Sequence, residues 1–115
     1  MISKSEVLIA NELATAGIAY DYELPLHGHG GKVRYPDFTI ADADTGETWY
    51  WEHLGMLSDA GYRERWRLKL AWYRANGVKP HAEGGGPKGR LVTTEEVAGF
   101  STPQIQQVIR LIKGN

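Results

Sequence analysis

The chain has 115 residues, of which 42% are hydrophobic and 23% are charged, and it contains no cysteine. A length of this order suits one domain with one core, so we treat residues 1–115 as a single unit. The formal net charge of -1 gives no overall attraction to polyanions, and the lack of thiols excludes disulfides and thiolate metal sites. No apolar run approaches the roughly 20 residues of a membrane-spanning helix, so we expect no membrane partner and a cytoplasmic location.

The first half of the chain predicts one helix and three strands. Apolar residues at helical spacing predict a helix from Ser5 to Ala16, capped by a serine and ended by Gly17. Two strands follow, in IAYDYELPL and VRYPDFTIAD, and a glycine-rich turn joins them as a hairpin. After another turn, ETWYWEHLGM predicts the third strand of a meander.

The second half predicts two helices on either side of one strand. Aromatic and apolar residues at helical spacing predict a helix from about Ala60 to Ala75. The segment KPHAEGGGPKG is typical of a flexible loop, and RLVTT predicts a short strand. The last segment, STPQIQQVIRLIKGN, predicts a helix capped by Ser101 or Thr102, with Pro103 in its first turn. The resulting order, α-β-β-β-α-β-α, indicates an α/β domain.

Two acids, Asp37 and Glu52, lie inside segments that otherwise predict buried strands. Period-two alternation places Glu52 on the same face as Tyr50 and Leu54. A buried carboxylate is costly unless it is paired, hydrogen-bonded, protonated or bound to a metal. Neighbouring carboxylates are the ligands that a hard cation such as magnesium or manganese requires. The alternative is structural, with Asp37 starting a turn and Glu52 paired with an arginine.

A third acid and a lysine fall beside the same predicted core. Glu6 lies on the stripe of the first helix that carries Ala10 and Leu13, so we expect its side chain to face inward. Lys69 lies three residues after Trp66, at the margin of the apolar face of the second helix. Its stem can pack there while its amine reaches toward the sheet. The alternative for Lys69 is an edge lysine that extends into water.

In their order and spacing, YPDF and WEHLG resemble the two motifs of the PD-(D/E)xK nuclease superfamily. More narrowly, nearly the whole chain resembles the small nuclease domains appended to some superfamily I DNA helicases. The segments that carry this second resemblance are SKSE, YPDFTI, WEHLGM, YRERWRLKLAWYRANGV and LVTTEE.

The resemblance implies a restriction-endonuclease-like αβββαβα core, with a mixed four-stranded sheet flanked by helices. It also implies a magnesium- or manganese-dependent nuclease, whose partners are DNA and a helicase or another domain of a larger protein. By the same resemblance, Asp37, Glu52 and the backbone carbonyl of His53 would ligate the metal, and Glu6 would hold a metal-bound water.

The chain departs from the motif at one position. The lysine of the superfamily should stand two residues after Glu52, where this chain has Leu54. Lys69 is the preferred replacement, because a helix packed over the sheet can deliver an amine to the same space, and Lys4 is the second candidate. The missing lysine also supports an alternative function, a catalytically inactive module that keeps the nuclease fold for DNA binding or assembly.

Basic residues of the two helices predict contacts with DNA. Lys4 lies just before the first helix, and the second helix carries a basic cluster of Arg63, Arg65, Arg67, Lys69 and Arg74. Such residues near a metal site can hold the phosphates of a strand. The alternative is a solvated helix face. The sequence leaves open endonuclease against exonuclease, single strand against duplex, and whether the chain forms a homodimer.

Overall fold

The computed structural model describes residues 2–96 and 102–114. The three predicted helices are confirmed there, and the second has the predicted bounds. Ser101, one of the two predicted caps of the last helix, lies outside the described residues. Within this part of the chain, no helix combines the length and apolarity needed to cross a bilayer. The helices are α1 (Lys4–Thr15), α2 (Ala60–Ala75) and α3 (Thr102–Lys113).

The strands of the described residues form a larger mixed sheet and a separate pair. They are β1 (Asp21–Tyr22), β2 (Leu26–His27), β3 (Val33–Arg34), β4 (Phe38–Ala41), β5 (Thr48–Leu54), β6 (Val78–Pro80) and β7 (Gly89–Glu95). The larger sheet has the order β1-β4-β5-β7-β6, with β4 antiparallel and β7 parallel to β5. The α/β class is confirmed, but the predicted four-stranded sheet is wrong, because this sheet has five strands.

The first two predicted strands each divide where a residue interrupts pairing. Glu23 has a φ of 52°, a left-handed conformation that ends β1, and Pro25 stands just before β2. Pro36 separates β3 from β4, since proline lacks an N–H donor and restricts the residue before it. The predicted hairpin is therefore limited to the β2–β3 pair, while β1 pairs with β4.

The segment predicted as a loop after α2 also contributes a strand. β6 pairs in parallel with the start of β7, and a short 3-10 turn (His81–Glu83) follows it. The glycines of this segment allow close packing of the chain: a Cβ on Gly86 would lie 2.3 Å from the carbonyl oxygen of Gly77. Composition alone indicated a loop because three residues of strand are too few to produce a period.

Helices cover both faces of the larger sheet. On one face, Leu13 of α1 and Ile109 of α3 pack in one cluster with Trp51. On the other face, Tyr73 of α2 packs with Tyr50. The predicted alternation along β5 is therefore confirmed, and Glu52 lies on the face that α2 covers.

Thr94 of β7 forms buried polar contacts with two side chains of β5, and these contacts can be tested by substitution. Its side chain is fully buried; its hydroxyl accepts a hydrogen bond from Trp51 Nε1 at 3.1 Å and lies 2.8 Å from His53 Nδ1. Thr94→Val keeps the shape but removes the hydroxyl, so we expect a loss of about 1–3 kcal/mol in unfolding free energy. Urea unfolding measures it, with Thr93→Val at the exposed neighbouring position as the control. Equal stabilities of the two variants would contradict a structural role for the Thr94 hydroxyl.

Candidate active site

Asp37 and Glu52 lie where β4 and β5 separate. The last pair between the two strands joins Phe38 to Trp51. Beyond it, the backbone N–H of His53 donates to Asp37 Oδ2 at 2.7 Å, so a carboxylate takes the place of the neighbouring strand. The start of β4 therefore positions Asp37 against the backbone of β5.

The backbone of β5 also orients the His53 carbonyl. The carbonyl of the next residue, Leu54, accepts from the backbone N–H of Glu96, so it faces β7. Because backbone groups alternate in direction along a strand, the N–H and C=O of His53 both point to the opposite edge, toward Asp37. The carbonyl expected to be a metal ligand therefore faces the same edge as the Asp37 carboxylate.

The Glu52 carboxylate receives two donors from α2. Its side chain is 5% exposed, and Oε2 lies 2.6 Å from Lys69 Nζ and accepts from the Tyr73 hydroxyl at 2.5 Å. Lys69 Nζ also donates to the carbonyl oxygen of Tyr35 at 3.1 Å. The amine thus reaches the sheet, as the spacing of Lys69 along the helix predicted. The positive charge of Lys69 balances the negative charge of Glu52, and the hydrogen bond from Tyr73 holds the carboxylate in place.

The phase of α2 explains why both donors meet one carboxylate. Lys69 and Tyr73 are four residues apart, which places them on the same side of a helix one turn from each other. The helix begins at a fixed point, because the Asp59 side chain accepts from the backbone N–H of Tyr62 at 2.7 Å. It packs on the sheet through Trp66 and Tyr73. The sequence signal for the Tyr73 contact is its i+4 spacing from Lys69.

Burial, followed by repulsion from the Glu52 carboxylate, raises the pKa of Asp37 from its ordinary 3.8 to about 8. The hydrogen bond from the His53 N–H and the charge of Lys69 act in the opposite direction, and Glu6 adds to the rise. Negative charge at Asp37 is therefore costly in the metal-free protein. A cation at this position would relieve that cost.

Glu6 contributes to this electrostatic environment from a different position than predicted. The buried side of α1 consists of Ser5, Ile9 and Leu13, so the prediction that Glu6 shares the buried stripe is wrong. Its carboxylate accepts from the backbone N–H of Ser3 in a capping box, and from the Tyr22 hydroxyl at 3.3 Å. A residue at N3 of a helix is directed back toward the cap, which the stripe pattern did not take into account.

A cavity of about 210 Å³ is lined by both strand acids and by Lys69. Asp37, Glu52 and the His53 carbonyl supply oxygen donors there, the chemistry that magnesium and manganese prefer. Among the described residues, no three His, Cys, Asp or Glu side chains are grouped closely enough to hold a metal ion. A hard cation in this cavity would therefore be held by the carboxylates of Asp37 and Glu52 and the carbonyl of His53, and water would supply its remaining ligands.

The basic residues predicted to contact DNA mostly have partners on the protein. Arg63 donates to the Leu57 carbonyl at 2.7 Å, and Arg67 forms an ion pair with Glu64 at 2.7 Å. Arg65, another member of the basic cluster predicted on the second helix, lines the cavity.

The other two positions in question are Leu54 and Lys4. Leu54 lines the cavity and is buried, so the position at which the resemblance implies a lysine faces the site but carries an apolar side chain. Lys4 is exposed at the start of α1 and is not among the residues that line the cavity. Only Lys69, of the two candidate lysines, contacts a strand acid in the described chain.

The raised pKa of Asp37 predicts how its substitution affects stability. The unfolded chain loses the Asp37 proton near the ordinary pKa of 3.8, whereas the folded protein keeps it up to about pH 8. The free energy of unfolding therefore falls as the pH rises between these two values. Asp37→Asn has no charge at any pH. In chelator, we therefore expect its melting temperature to rise above that of the wild type by more at about pH 8 than at about pH 5. Asp44→Asn, at an exposed turn, is the matched control, and a pH-independent difference for Asp37→Asn would contradict the shift.

Comparisons of the chain with protein-family models, with curated proteins and with solved structures found no match. The chemistry of Asp37, Glu52 and Lys69 is therefore the basis for assigning a function.

Proposed function

We propose that the protein is a divalent-metal-dependent nuclease that hydrolyses DNA phosphodiesters, and that Lys69 replaces the motif lysine missing at Leu54. The observation that supports this most directly is the 2.6 Å contact between Lys69 Nζ and the Glu52 carboxylate, beside Asp37 on an open cavity. Two acids and a lysine meet there, the set of side chains that the PD-(D/E)xK resemblance implies, although the lysine comes from α2 and not from β5. In this proposal the fold is a restriction-endonuclease-like core with added short strands.

Magnesium or manganese, held by Asp37, Glu52 and the His53 carbonyl, would polarise the phosphate and lower the pKa of a bound water. The chain's own residues prepare the site for it. The His53 N–H orients Asp37, and the Tyr73 hydroxyl orients Glu52. Glu6 adds negative charge near Asp37, which favours a cation in the cavity.

Lys69 stabilises the charge of the phosphate in this proposal. An ammonium group has three donors, and those of Lys69 include contacts to Glu52 and to the Tyr35 carbonyl. A remaining donor can bind a phosphate oxygen or orient the attacking water. Because the amine is held by two acceptors of the protein, its position is set before the substrate binds.

A second function is favoured by the way Glu52 is neutralised. Lys69 and Tyr73 already satisfy one oxygen of this acid, and no cluster of three metal-binding side chains occurs among the described residues. These features also suit a catalytically inactive module that binds DNA or assists assembly. Such a module would bind DNA without any increase in melting temperature on addition of magnesium or manganese.

The role of Asp37 is tested by cleavage assays. We expect Asp37→Asn to abolish hydrolysis of single-stranded and duplex DNA in magnesium or manganese, because the amide keeps the shape but loses the charge that binds the cation. Metal should raise the melting temperature of the wild type by binding the native state, and Glu52→Gln should remove most of that rise. Full activity of Asp37→Asn would refute the site, and an unchanged rise in Glu52→Gln would place the ion elsewhere.

The role of Lys69 is tested by Lys69→Met, which keeps the stem and removes the charge. We expect cleavage to fall by about a hundredfold or more, the scale for loss of a positioned charge-stabilising or acid–base group. The metal-induced rise in melting temperature should persist, because the acids remain. Lys4→Met is the control and should have a milder effect that added salt reproduces. Cleavage by Lys69→Met at the wild-type rate would show that the amine is dispensable.

A further inference from the structure

Tyr35 is the one Phe, Trp or Tyr side chain among the described residues that the fold leaves largely exposed, at 54%. It stands two residues before Asp37, next to the fully buried Pro36. The other aromatic side chains of the described chain are buried or half-buried, and most of them belong to the two cores. The exposed ring therefore stands beside the candidate active site and not in the core.

Two restraints fix the backbone at Tyr35. Lys69 Nζ donates to its carbonyl oxygen at 3.1 Å, and the following Pro36 restricts Tyr35 to extended conformations. A tyrosine ring is joined to its own carbonyl through Cα and Cβ alone. The ring therefore projects from a backbone position whose carbonyl oxygen contacts the Lys69 amine, and Lys69 lines the cavity.

The other aromatic residues of the site are committed to the protein. The Tyr62 hydroxyl accepts from the backbone N–H of Gly55 at 3.0 Å, and the Arg65 guanidinium lies 6.0 Å from the centre of the Tyr62 ring. Trp66 packs against the core under α2. Tyr35 has no such ring partner in the described part of the chain, so its face is available to a ligand.

Positive charge accompanies the exposed ring. Arg34 directly precedes it, and its Nε is buried without a hydrogen-bond partner among the described residues. Arg65 and Lys69 line the cavity. An aromatic ring beside cations is the combination that holds single strands of nucleic acid, by base stacking and phosphate attraction together.

We propose that Tyr35 is a stacking platform for an unpaired base next to the phosphate in the active site, so that the substrate is a single-stranded or locally unpaired nucleic acid. A base within a duplex is already stacked on both sides and offers no face to a protein ring. This inference rests on the proposed function, because Lys69 defines where the phosphate lies.

The test compares two strands that differ only in their bases. Binding of labelled oligo(dT) and of an abasic deoxyribose-phosphate strand of equal length is measured by fluorescence anisotropy, in chelator, with Asp37→Asn as the parent so that no strand is cut. We expect the parent to bind oligo(dT) about tenfold more tightly than the abasic strand, the scale of one base–aromatic stack. Adding Tyr35→Ala should abolish this preference, whereas Tyr35→Phe, which keeps the ring, should retain it.

Met56→Ala is the matched control, because Met56 is 58% exposed close to the end of β5 and lacks a ring. It should leave the preference for bases intact. A preference that persists in Tyr35→Ala, or that is lost equally in Tyr35→Phe, would overturn the role of Tyr35. Equal binding of both strands by every protein would overturn it too, while leaving phosphate binding and the proposed function standing. Failure to bind either strand would overturn both.

Discussion

Neutralisation of Glu52 within the core is the interaction on which the arrangement of the site depends. An isolated carboxylate that is 4% exposed would oppose folding by several kcal/mol. Lys69 and Tyr73 remove that cost by approaching the same oxygen. The contact fixes the rotation of α2 over the sheet, and through the Tyr35 carbonyl it also joins α2 to the segment between β3 and β4.

The two strand acids are treated differently by the fold. Glu52 has a cation and a hydroxyl, whereas Asp37 has a backbone N–H and the repulsion of its neighbours. This asymmetry gives the site one acid that is satisfied in the resting protein and one that is not. A divalent cation would find its largest electrostatic gain at Asp37, while Glu52 would have to share its charge between the cation and Lys69.

The helices, the faces of β5 and the reach of Lys69 could be predicted from the sequence because each depends on a local period. α2 has a regular apolar stripe, and β5 alternates over seven residues. The division of the earlier strands could not be placed, since it depends on which partner each short segment finds in space. β6 was missed because its three residues gain their pairing from β7, which lies later in the chain.

The sequence predicted the two acids of the candidate site but not all of the groups around them. Asp37 and Glu52 stand out as acids within apolar strands, but Tyr73 resembles any core aromatic until its hydroxyl is placed against Glu52. Glu6 was predicted to lie on the buried stripe of α1, but the capping box, and not the stripe, determines the direction of its half-buried side chain.

Supplying the amine from a helix instead of the strand changes what heating does to the site. An element that packs on one face of a sheet can open as a unit while the strands stay paired. Such an opening of α2 would withdraw the Lys69 amine and the Tyr73 hydroxyl together and leave Glu52 ionised in water. Any activity that depends on these two groups would then be lost at a temperature below that of global unfolding, with the sheet still intact.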